Sequence, residues 1–153
     1  MTELEIGDKA PEFSGEIEDG TRICLNDFKG RKLILYFYPK DSTPGCTAQA
    51  CNLTENQNVL KEAGFEIVGV SADSVKKHQN FIKKYSLGFA LIADIDKTVI
   101  DLFGVWGPKK FMGREYEGIN RVTFVIDESG IIERIFTKVK TKNHTEQILE
   151  SYK

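Results

Sequence analysis

Several features that would indicate common protein classes are scarce or missing in this sequence. Its 153 residues carry 21 Lys and Arg against 23 Asp and Glu, a formal net charge of −2, which argues against a nucleic-acid-binding surface. No apolar run approaches the roughly 20 residues of a membrane-spanning helix. The opening residues, Met1 to Glu5, lack the basic and apolar segments of a secretory signal. We therefore expect a cytoplasmic protein with no nucleic-acid partner and no membrane partner.

Signatures of bound metals and organic cofactors are also sparse. The chain has 3 cysteines and 2 histidines, and their spacing does not supply the roughly four ligands of a structural zinc site. No glycine-rich loop of the phosphate-binding or dinucleotide-binding type occurs. We expect no metal and no cofactor, and we interpret His78 and His144 as surface or structural residues.

The cysteines are too few for a disulfide scaffold, and a cytosolic compartment keeps ordinary thiols reduced. Cys46 and Cys51 lie close together in the sequence, which indicates a pair of cysteines that takes part in catalysis. Cys24 lies apart from them, between Ile23 and Leu25, and is interpreted as a small core or sheet residue.

The apolar pattern predicts one α/β domain over residues 1–153, with strands and helices alternating through the middle. Phe13 to Leu25 reads as a hairpin with an Asp19-Gly20 turn. The segment 104–120, with Trp106 and several Gly and Pro residues, reads as an irregular functional loop. A mixed sheet covered by helices on two faces follows from this order. Its strands are predicted at Leu33–Tyr38, Phe65–Val70, Phe89–Ala93, Arg121–Asp127 and Ile131–Val139, and its helices at 44–63, 75–85, 97–103 and 142–152.

The chain is organised around the segment that runs from Leu33 to Cys51. Leu33–Tyr38 is a run of six apolar or aromatic residues, typical of a strand buried on both faces, and Pro39 ends it. Cys46 then falls in the first turn of a helix, with Ser42 or Thr43 available as its cap. Unpaired backbone N–H groups and the positive end of the helix dipole both favour a thiolate there. Cys46 is thus the candidate nucleophile.

The spacing of the two cysteines predicts a conformational change. With about 1.5 Å rise and 100° per residue, the Cα atoms of Cys46 and Cys51 lie roughly 8–9 Å apart on an intact helix. A disulfide needs Cα atoms closer than about 7 Å. If the two sulfurs pair, the first turns of the helix must unwind.

The residues before Cys46 suit a small substrate with two oxygens. The Thr43 hydroxyl can reach the space above the sulfur, Pro44 shields the thiolate, and the Gly45 and Cys46 N–H groups can donate to the same ligand. A thiolate in such a site attacks a peroxide along its O–O bond and becomes a sulfenic acid. Donors aimed at the departing oxygen stabilise its developing charge.

Pro39, Thr43 and Cys46 match the PxxxTxxC motif of the peroxiredoxins, and Cys51 stands where the bacterioferritin-comigratory (Q-type) subfamily has its resolving cysteine. The opening segment 7–13, the arginine-bearing segment 118–127 and the end of the chain resemble the same family. The resemblance implies a thioredoxin-like fold and a thiol-dependent peroxidase that needs no metal or organic cofactor.

The resemblance also implies residue roles. Cys46 would be peroxidatic and Cys51 resolving, while Thr43 and Arg121 would hold thiolate and peroxide. A guanidinium suits this role because it never loses its charge. Position 49 is Gln, where family members often have Glu. Thioredoxin or a similar dithiol protein would reduce the intramolecular disulfide, and a resolving cysteine in the same chain favours a monomer.

Two other functions remain open at this point. A general thiol–disulfide oxidoreductase is disfavoured because the cysteines do not form a C-x-x-C pair. A redox sensor that unwinds on oxidation, without turning over, is the alternative from another class. Kinetics separate them, since a peroxidase consumes peroxide over many turnovers and a sensor stops after one.

Overall fold

The computed structural model describes residues 2–153, and of Phe111 it describes the backbone only. It contains nine strands and five α-helices within that range. The strands are β1 (Ser14–Glu16), β2 (Arg22–Cys24), β3 (Lys32–Phe37), β4 (Phe65–Ser71), β5 (Ala90–Ala93), β6 (Trp106–Phe111), β7 (Arg114–Ile119), β8 (Val122–Ile126) and β9 (Ile132–Phe136). The helices are α1 (Pro44–Glu55), α2 (Gln57–Glu62), α3 (Val75–Tyr85), α4 (Thr98–Phe103) and α5 (His144–Glu150), with short 3₁₀ turns at Leu25–Phe28 and Thr141–Asn143.

The central sheet has the strand order β5-β4-β3-β8-β9. Strands β3, β4 and β5 run parallel to one another, whereas β8 and β9 pair antiparallel. The sheet is therefore mixed, as the alternation of elements predicts. Strand β3 lies in its middle, and the loop after β3 opens at the edge where the parallel strands end.

Strand β3 is buried on both sides, because alternate residues belong to two different hydrophobic clusters. Leu33, Leu35 and Phe37 pack in the cluster that includes Phe103 of α4. Ile34, Tyr36 and Tyr38 pack on the opposite face, in the cluster that holds Cys46, Leu53 of α1, Phe81 of α3 and Ile148 of α5. Helices thus cover both faces, and the expected fold class is confirmed.

The single helix expected over residues 44–63 is instead two helices that meet at Asn56. The Asn56 side chain donates to the Asn52 carbonyl oxygen at 2.8 Å, and its backbone N–H donates to the same oxygen at 3.2 Å. Asparagine commonly interrupts helices through such local hydrogen bonds. The second helix then ends as expected before Gly64, which has a φ of +92°.

Residues 104–120 also differ from the expected irregular loop. They form a regular antiparallel hairpin, β6–β7, with Met112 and Gly113 at its turn. Both turn residues have positive φ, 52° and 78°, which matches the right-handed twist of paired strands. The Gly107-Pro108 pair suggested a break, but it lies inside β6.

The other predicted elements are present with small shifts at their ends. The N-terminal hairpin forms a separate two-stranded sheet of β1 and β2, with Cys24 half-buried at its end. Helix α3 has its predicted limits, and strand β9 and the terminal helix are shorter than predicted. Both histidines are fully buried, so the structural interpretation is right and the surface one is wrong. No helix among residues 2–153 is long and apolar enough to cross a bilayer.

Candidate active site

Cys46 lies in the first turn of α1, at the edge of the central sheet. Pro44 occupies the start of the helix, where a missing N–H costs nothing. Cys46 is only 1% exposed, because its side chain turns inward against the face of β3 that carries Tyr36 and Tyr38. The sulfur therefore lies at the boundary between the hydrophobic core and the loop.

Arg121, just before strand β8, is the cation that reaches this sulfur. Its Nη2 donates to Cys46 Sγ at 3.4 Å. A side chain on residue 45 would crowd it, because a Cβ there would lie 3.2 Å from the Arg121 Nη2. Gly45 therefore leaves room for the guanidinium. The sulfur thus faces a donor whose positive charge is permanent.

Gln49 holds the other arm of the same guanidinium. Its Oε1 accepts from Arg121 Nη1 at 2.8 Å, and the side chain is completely buried. Its Nε2 has no hydrogen-bond partner among the described residues. The sequence singled out this position only as a departure from the family's usual Glu. The neutral amide leaves the full positive charge of Arg121 facing Cys46, whereas a carboxylate would share it.

Thr43 is the N-cap residue of α1 by its backbone, with φ −82° and ψ 155°. Its hydroxyl does not cap the helix within the described residues; it donates to the Lys40 carbonyl oxygen at 2.9 Å. The prediction that Thr43 caps the helix therefore holds for its backbone conformation and is wrong for its side chain. Pro39 is half-buried at the end of β3, while Pro44 is exposed. Pro44 thus lies on the solvent side of the loop that surrounds the buried sulfur.

Cys51 lies on the same unbroken helix as Cys46, about one turn before its end. All three cysteines are free, and Cys51 is half-buried. Burial raises the pKa of the Cys51 thiol, and the nearby Glu55 carboxylate raises it further. In the intact helix Cys51 is therefore held as a thiol, which makes it a poor nucleophile.

The groups around Arg121 titrate away from their ordinary ranges. Burial lowers the pKa of Lys109, and the Arg121 charge lowers it further. The Lys109 Nζ donates to the Ile119 carbonyl oxygen at 2.8 Å. Burial also raises the pKa of Tyr36 well above its usual value, with the charge of Cys46 as the next cause. Tyr36 is thus a neutral phenol in the same buried cluster as Cys46.

His144, the first residue of α5, is hydrogen-bonded to Thr123 of strand β8. Its Nε2 lies 2.9 Å from the Thr123 hydroxyl and its Nδ1 lies 2.9 Å from the Gln147 Oε1. The amide oxygen can only accept, so Nδ1 carries the hydrogen and Nε2 accepts from Thr123. Burial lowers the pKa of His144 from 6.5 to about 4, so the ring is neutral at physiological pH.

A model of the AhpC/TSA family matches residues 6–135 of this chain. The chain belongs to that family. Peroxiredoxin Bcp of Escherichia coli strain K12 is 47% identical over 149 residues, which cover 97% of this chain and 96% of the relative. Peroxiredoxin Bcp of Bacillus subtilis strain 168 is 42% identical over 150 residues, covering 98% of this chain and 96% of the relative.

Solved structures agree with these relatives. A mutant of PrxQ from Xylella fastidiosa superposes with a TM-score of 0.92 at 29% identity, covering 99% of this chain and 97% of that one. Peroxiredoxin Q from Xanthomonas campestris gives a TM-score of 0.86 at 35% identity, covering 98% and 95%. The assignment to the Bcp and Q-type peroxiredoxins, the thioredoxin-like fold and the enzyme class, a thiol-dependent peroxidase, are confirmed.

Proposed function

We propose that this peroxidase reduces hydroperoxides through the Cys46 sulfur. The observation that carries the proposal is the contact of the Arg121 guanidinium with the buried Cys46 Sγ at 3.4 Å. That contact places the nucleophilic sulfur beside a permanently charged donor that can also reach the peroxide oxygens. Structures of the Xanthomonas campestris bacterioferritin comigratory protein, 34% identical to this chain, concern alkyl peroxide reduction. We extend that substrate class, together with hydrogen peroxide, to this chain.

In the first step the Cys46 thiolate attacks one oxygen of the peroxide. A sulfur–oxygen bond forms and the O–O bond breaks, so the sulfur is oxidised to a sulfenic acid. The other oxygen leaves as hydroxide or alkoxide and takes up a proton from solvent, which gives water or an alcohol. Arg121 and the backbone N–H groups of Gly45 and Cys46 would stabilise the charge on that oxygen. The Thr43 hydroxyl, which gives its hydrogen to Lys40, would accept the peroxide's hydrogen.

In the second step Cys51 attacks the sulfur of the Cys46 sulfenic acid. A disulfide forms and the hydroxyl leaves as water. The intact helix keeps the two Cα atoms roughly 8–9 Å apart, and both residues lie within α1. Resolution therefore requires the first turns of α1 to unwind, which also exposes the Cys51 thiol and removes the burial that raises its pKa.

In the third step a dithiol protein such as thioredoxin reduces the disulfide, giving up two electrons and two protons and becoming a disulfide itself. We infer that the protein works as one domain and as a monomer, because both cysteines lie in one helix of one chain. We also infer a cytoplasmic location, where thiols are kept reduced; all three cysteines of this chain are free.

The experiment is a steady-state assay with thioredoxin, its reductase and a panel of peroxides. Cys46→Ser should abolish peroxide consumption. Cys51→Ser should form a sulfenic acid at Cys46 once and then fail to turn over with thioredoxin. Cys24→Ser is the matched control and should behave as the wild type, because Cys24 lies in the N-terminal hairpin.

Two results would overturn the proposal. Unchanged activity of Cys46→Ser would remove the nucleophile assignment. A peroxide-induced disulfide that mass spectrometry maps to Cys24 would remove the resolving role from Cys51. If the wild type consumes a single equivalent of peroxide and then stops in the presence of every dithiol reductant tested, the protein is a sensor.

A further inference from the structure

A buried hydrogen-bonded network lies behind the loop that carries Cys46, and no step of the peroxidase reaction uses it. Asp41, in the middle of that loop, is only 8% exposed, and His78 of α3 is fully buried. His78 Nδ1 lies 2.6 Å from Asp41 Oδ2. We call the group the Asp41 network; its members are Asp41, His78, Asp73, Tyr38 and Ser71.

The hydrogen atoms of the Asp41–His78 pair follow from its neighbours. His78 Nε2 lies 2.9 Å from the Ile92 carbonyl oxygen, which can only accept, so Nε2 carries a hydrogen. A single further hydrogen lies between Nδ1 and the Asp41 carboxyl. The pair is therefore neutral overall whichever partner holds that hydrogen. Tyr38 Oη donates to the other oxygen, Oδ1, at 2.5 Å.

The backbone of Asp41 is attached as firmly as its side chain. Its N–H donates to Asp73 Oδ2 at 2.8 Å, and the Ser71 hydroxyl donates to the same oxygen at 2.7 Å. Ser71 is the last residue of β4, and Asp73 lies two residues after it. The loop is thus bound to β4 through the Asp41 backbone and to α3 through its side chain.

These attachments end just before the residues that react. Ser42 follows with a φ of +64°, an unusual conformation for a residue with a side chain. Thr43 then begins helix α1, and its hydroxyl bonds back to the Lys40 carbonyl. The part of the loop before Ser42 is therefore tied to the core, while the part after it belongs to the helix that must unwind.

We propose that the Asp41–His78 pair is a fixed support for the active-site loop. It holds residues 38–41 in place while the first turns of α1 unwind, so that Thr43, Gly45 and Cys46 return to the same geometry after reduction. Asp41 and His78 are positioning residues and do not touch the substrate. The inference rests on the proposed function, because it assumes that Cys46 and Cys51 form a disulfide.

A metal site is the competing interpretation of these residues, since ligand atoms of Asp41, Asp73 and His78 lie within 4.8 Å of one another. Each residue, however, already uses those atoms in hydrogen bonds to protein groups. His78 Nε2 is protonated against a carbonyl, which removes it as a ligand. The one carboxylate oxygen outside this hydrogen-bond set, Asp73 Oδ1, faces the Lys77 ammonium at 4.0 Å.

The test measures amide hydrogen exchange in the reduced wild type and in the Cys46–Cys51 disulfide form. Tyr38 and Asp41 are the reporters, because their N–H groups donate to the Val70 carbonyl and to Asp73 Oδ2. Both amides should keep their protection on oxidation, while the amides of residues 47–51 lose theirs. Loss of protection at Tyr38 and Asp41 together with residues 47–51 would overturn the proposal.

A set of variants tests the same point through activity. Asp41→Ala should lower kcat/KM for peroxide about 10- to 100-fold, the range expected when reacting groups are displaced. Asp41→Asn should restore most of the rate, because its amide can donate to His78 Nδ1 and accept from Tyr38.

Asp94→Ala is the matched control. Asp94 is a carboxylate of similar burial, 6% exposed, but it caps α4 through the Val99 and Ile100 N–H groups. The Asp94→Ala variant should be less stable than the wild type, but it should keep the wild-type kcat/KM at a temperature where it is folded. Equal losses in Asp41→Ala and Asp94→Ala would show a purely structural role and refute the support. A wild type that neither consumes peroxide nor forms the disulfide would instead refute the proposed function.

Discussion

Replacing Arg121 tests the contact on which the proposed mechanism depends. Its guanidinium reaches Cys46 Sγ at 3.4 Å and Gln49 Oε1 at 2.8 Å. A hydrogen bond to a charged group contributes about 1.5–3 kcal/mol. In the transition state the same guanidinium would also bond the departing peroxide oxygen, a contact absent from the free enzyme, so Arg121→Met should lower kcat/KM for peroxide about 10- to 150-fold.

Two further effects of the same substitution can be separated from the loss of rate. Gln49 is completely buried and its Nε2 already has no partner among the described residues. Arg121→Met therefore leaves both ends of that amide unpaired, which should cost about 1–3 kcal/mol of unfolding free energy. Arg121→Lys keeps the charge but cannot bond the sulfur and Gln49 together, so its rate should fall between those of Arg121→Met and the wild type.

The assay is single-turnover oxidation of Cys46, followed by stopped flow in a Cys51→Ser background so that resolution does not contribute. Arg134→Met is the matched control, because Arg134 lies on β9, with its guanidinium carbon 4.3 Å from the centre of the Tyr152 ring. It should leave the oxidation rate unchanged. A rate for Arg121→Met within about threefold of the wild type, less than 1 kcal/mol, would refute the reasoning.

Three other predictions concern helix α1 and its support. Disulfide formation should speed amide exchange in residues 47–51 more than roughly a thousandfold, because five helical hydrogen bonds of about 1 kcal/mol each are lost; unchanged exchange would contradict the unwinding. The Asn52 side chain binds α1 to the segment before α5, since it donates to the Lys142 carbonyl at 3.0 Å and accepts from the Thr145 N–H at 2.8 Å. Asn52→Ala removes both bonds, so disulfide formation after one equivalent of peroxide should be faster. An unchanged rate would show that this contact does not restrain α1. Burial lowers the pKa of His144 from 6.5 to about 4 in the folded protein. As the pH falls, His144 is therefore protonated in the unfolded chain before it is protonated in the folded one. The contribution of His144 to the free energy of unfolding should therefore be fully present above pH 6.5 and fall by about 2 kcal/mol from pH 7 to pH 5. Urea unfolding of His144→Gln should not show this pH dependence.

The sequence predicts the centre of the fold well, because the signals there are local. The run from Leu33 to Tyr38 is apolar at every position, and this pattern is typical of a strand with a core on each side. The break at Asn56 and the hairpin β6–β7 were not predicted. A side-chain hydrogen bond decides the first, and strand pairing across Gly107 and Pro108 decides the second. Neither has an unambiguous signal in the residue types alone.

The candidate site divides in the same way. Cys46, Thr43 and Cys51 could be placed relative to one another, since all lie in one turn and one helix. Gln49 was noticed but its partner was not, and the burial of His78 and His144 was missed. Lysine-rich neighbours such as Lys76 and Lys77 suggest an exposed helix, yet His78 lies on the opposite side of that helix and faces Asp41.

The sequence by itself determined that a cysteine begins a helix after a buried strand, and that a second cysteine five residues later cannot reach it without unwinding. Both follow from backbone geometry within a few residues. Only the tertiary structure decided which charge meets the sulfur, because Arg121 lies 75 residues from Cys46 along the chain and reaches it through the pairing of β8 with β3. The same holds for the Asp41–His78 pair, whose members lie 37 residues apart and meet because α3 packs over the loop after β3.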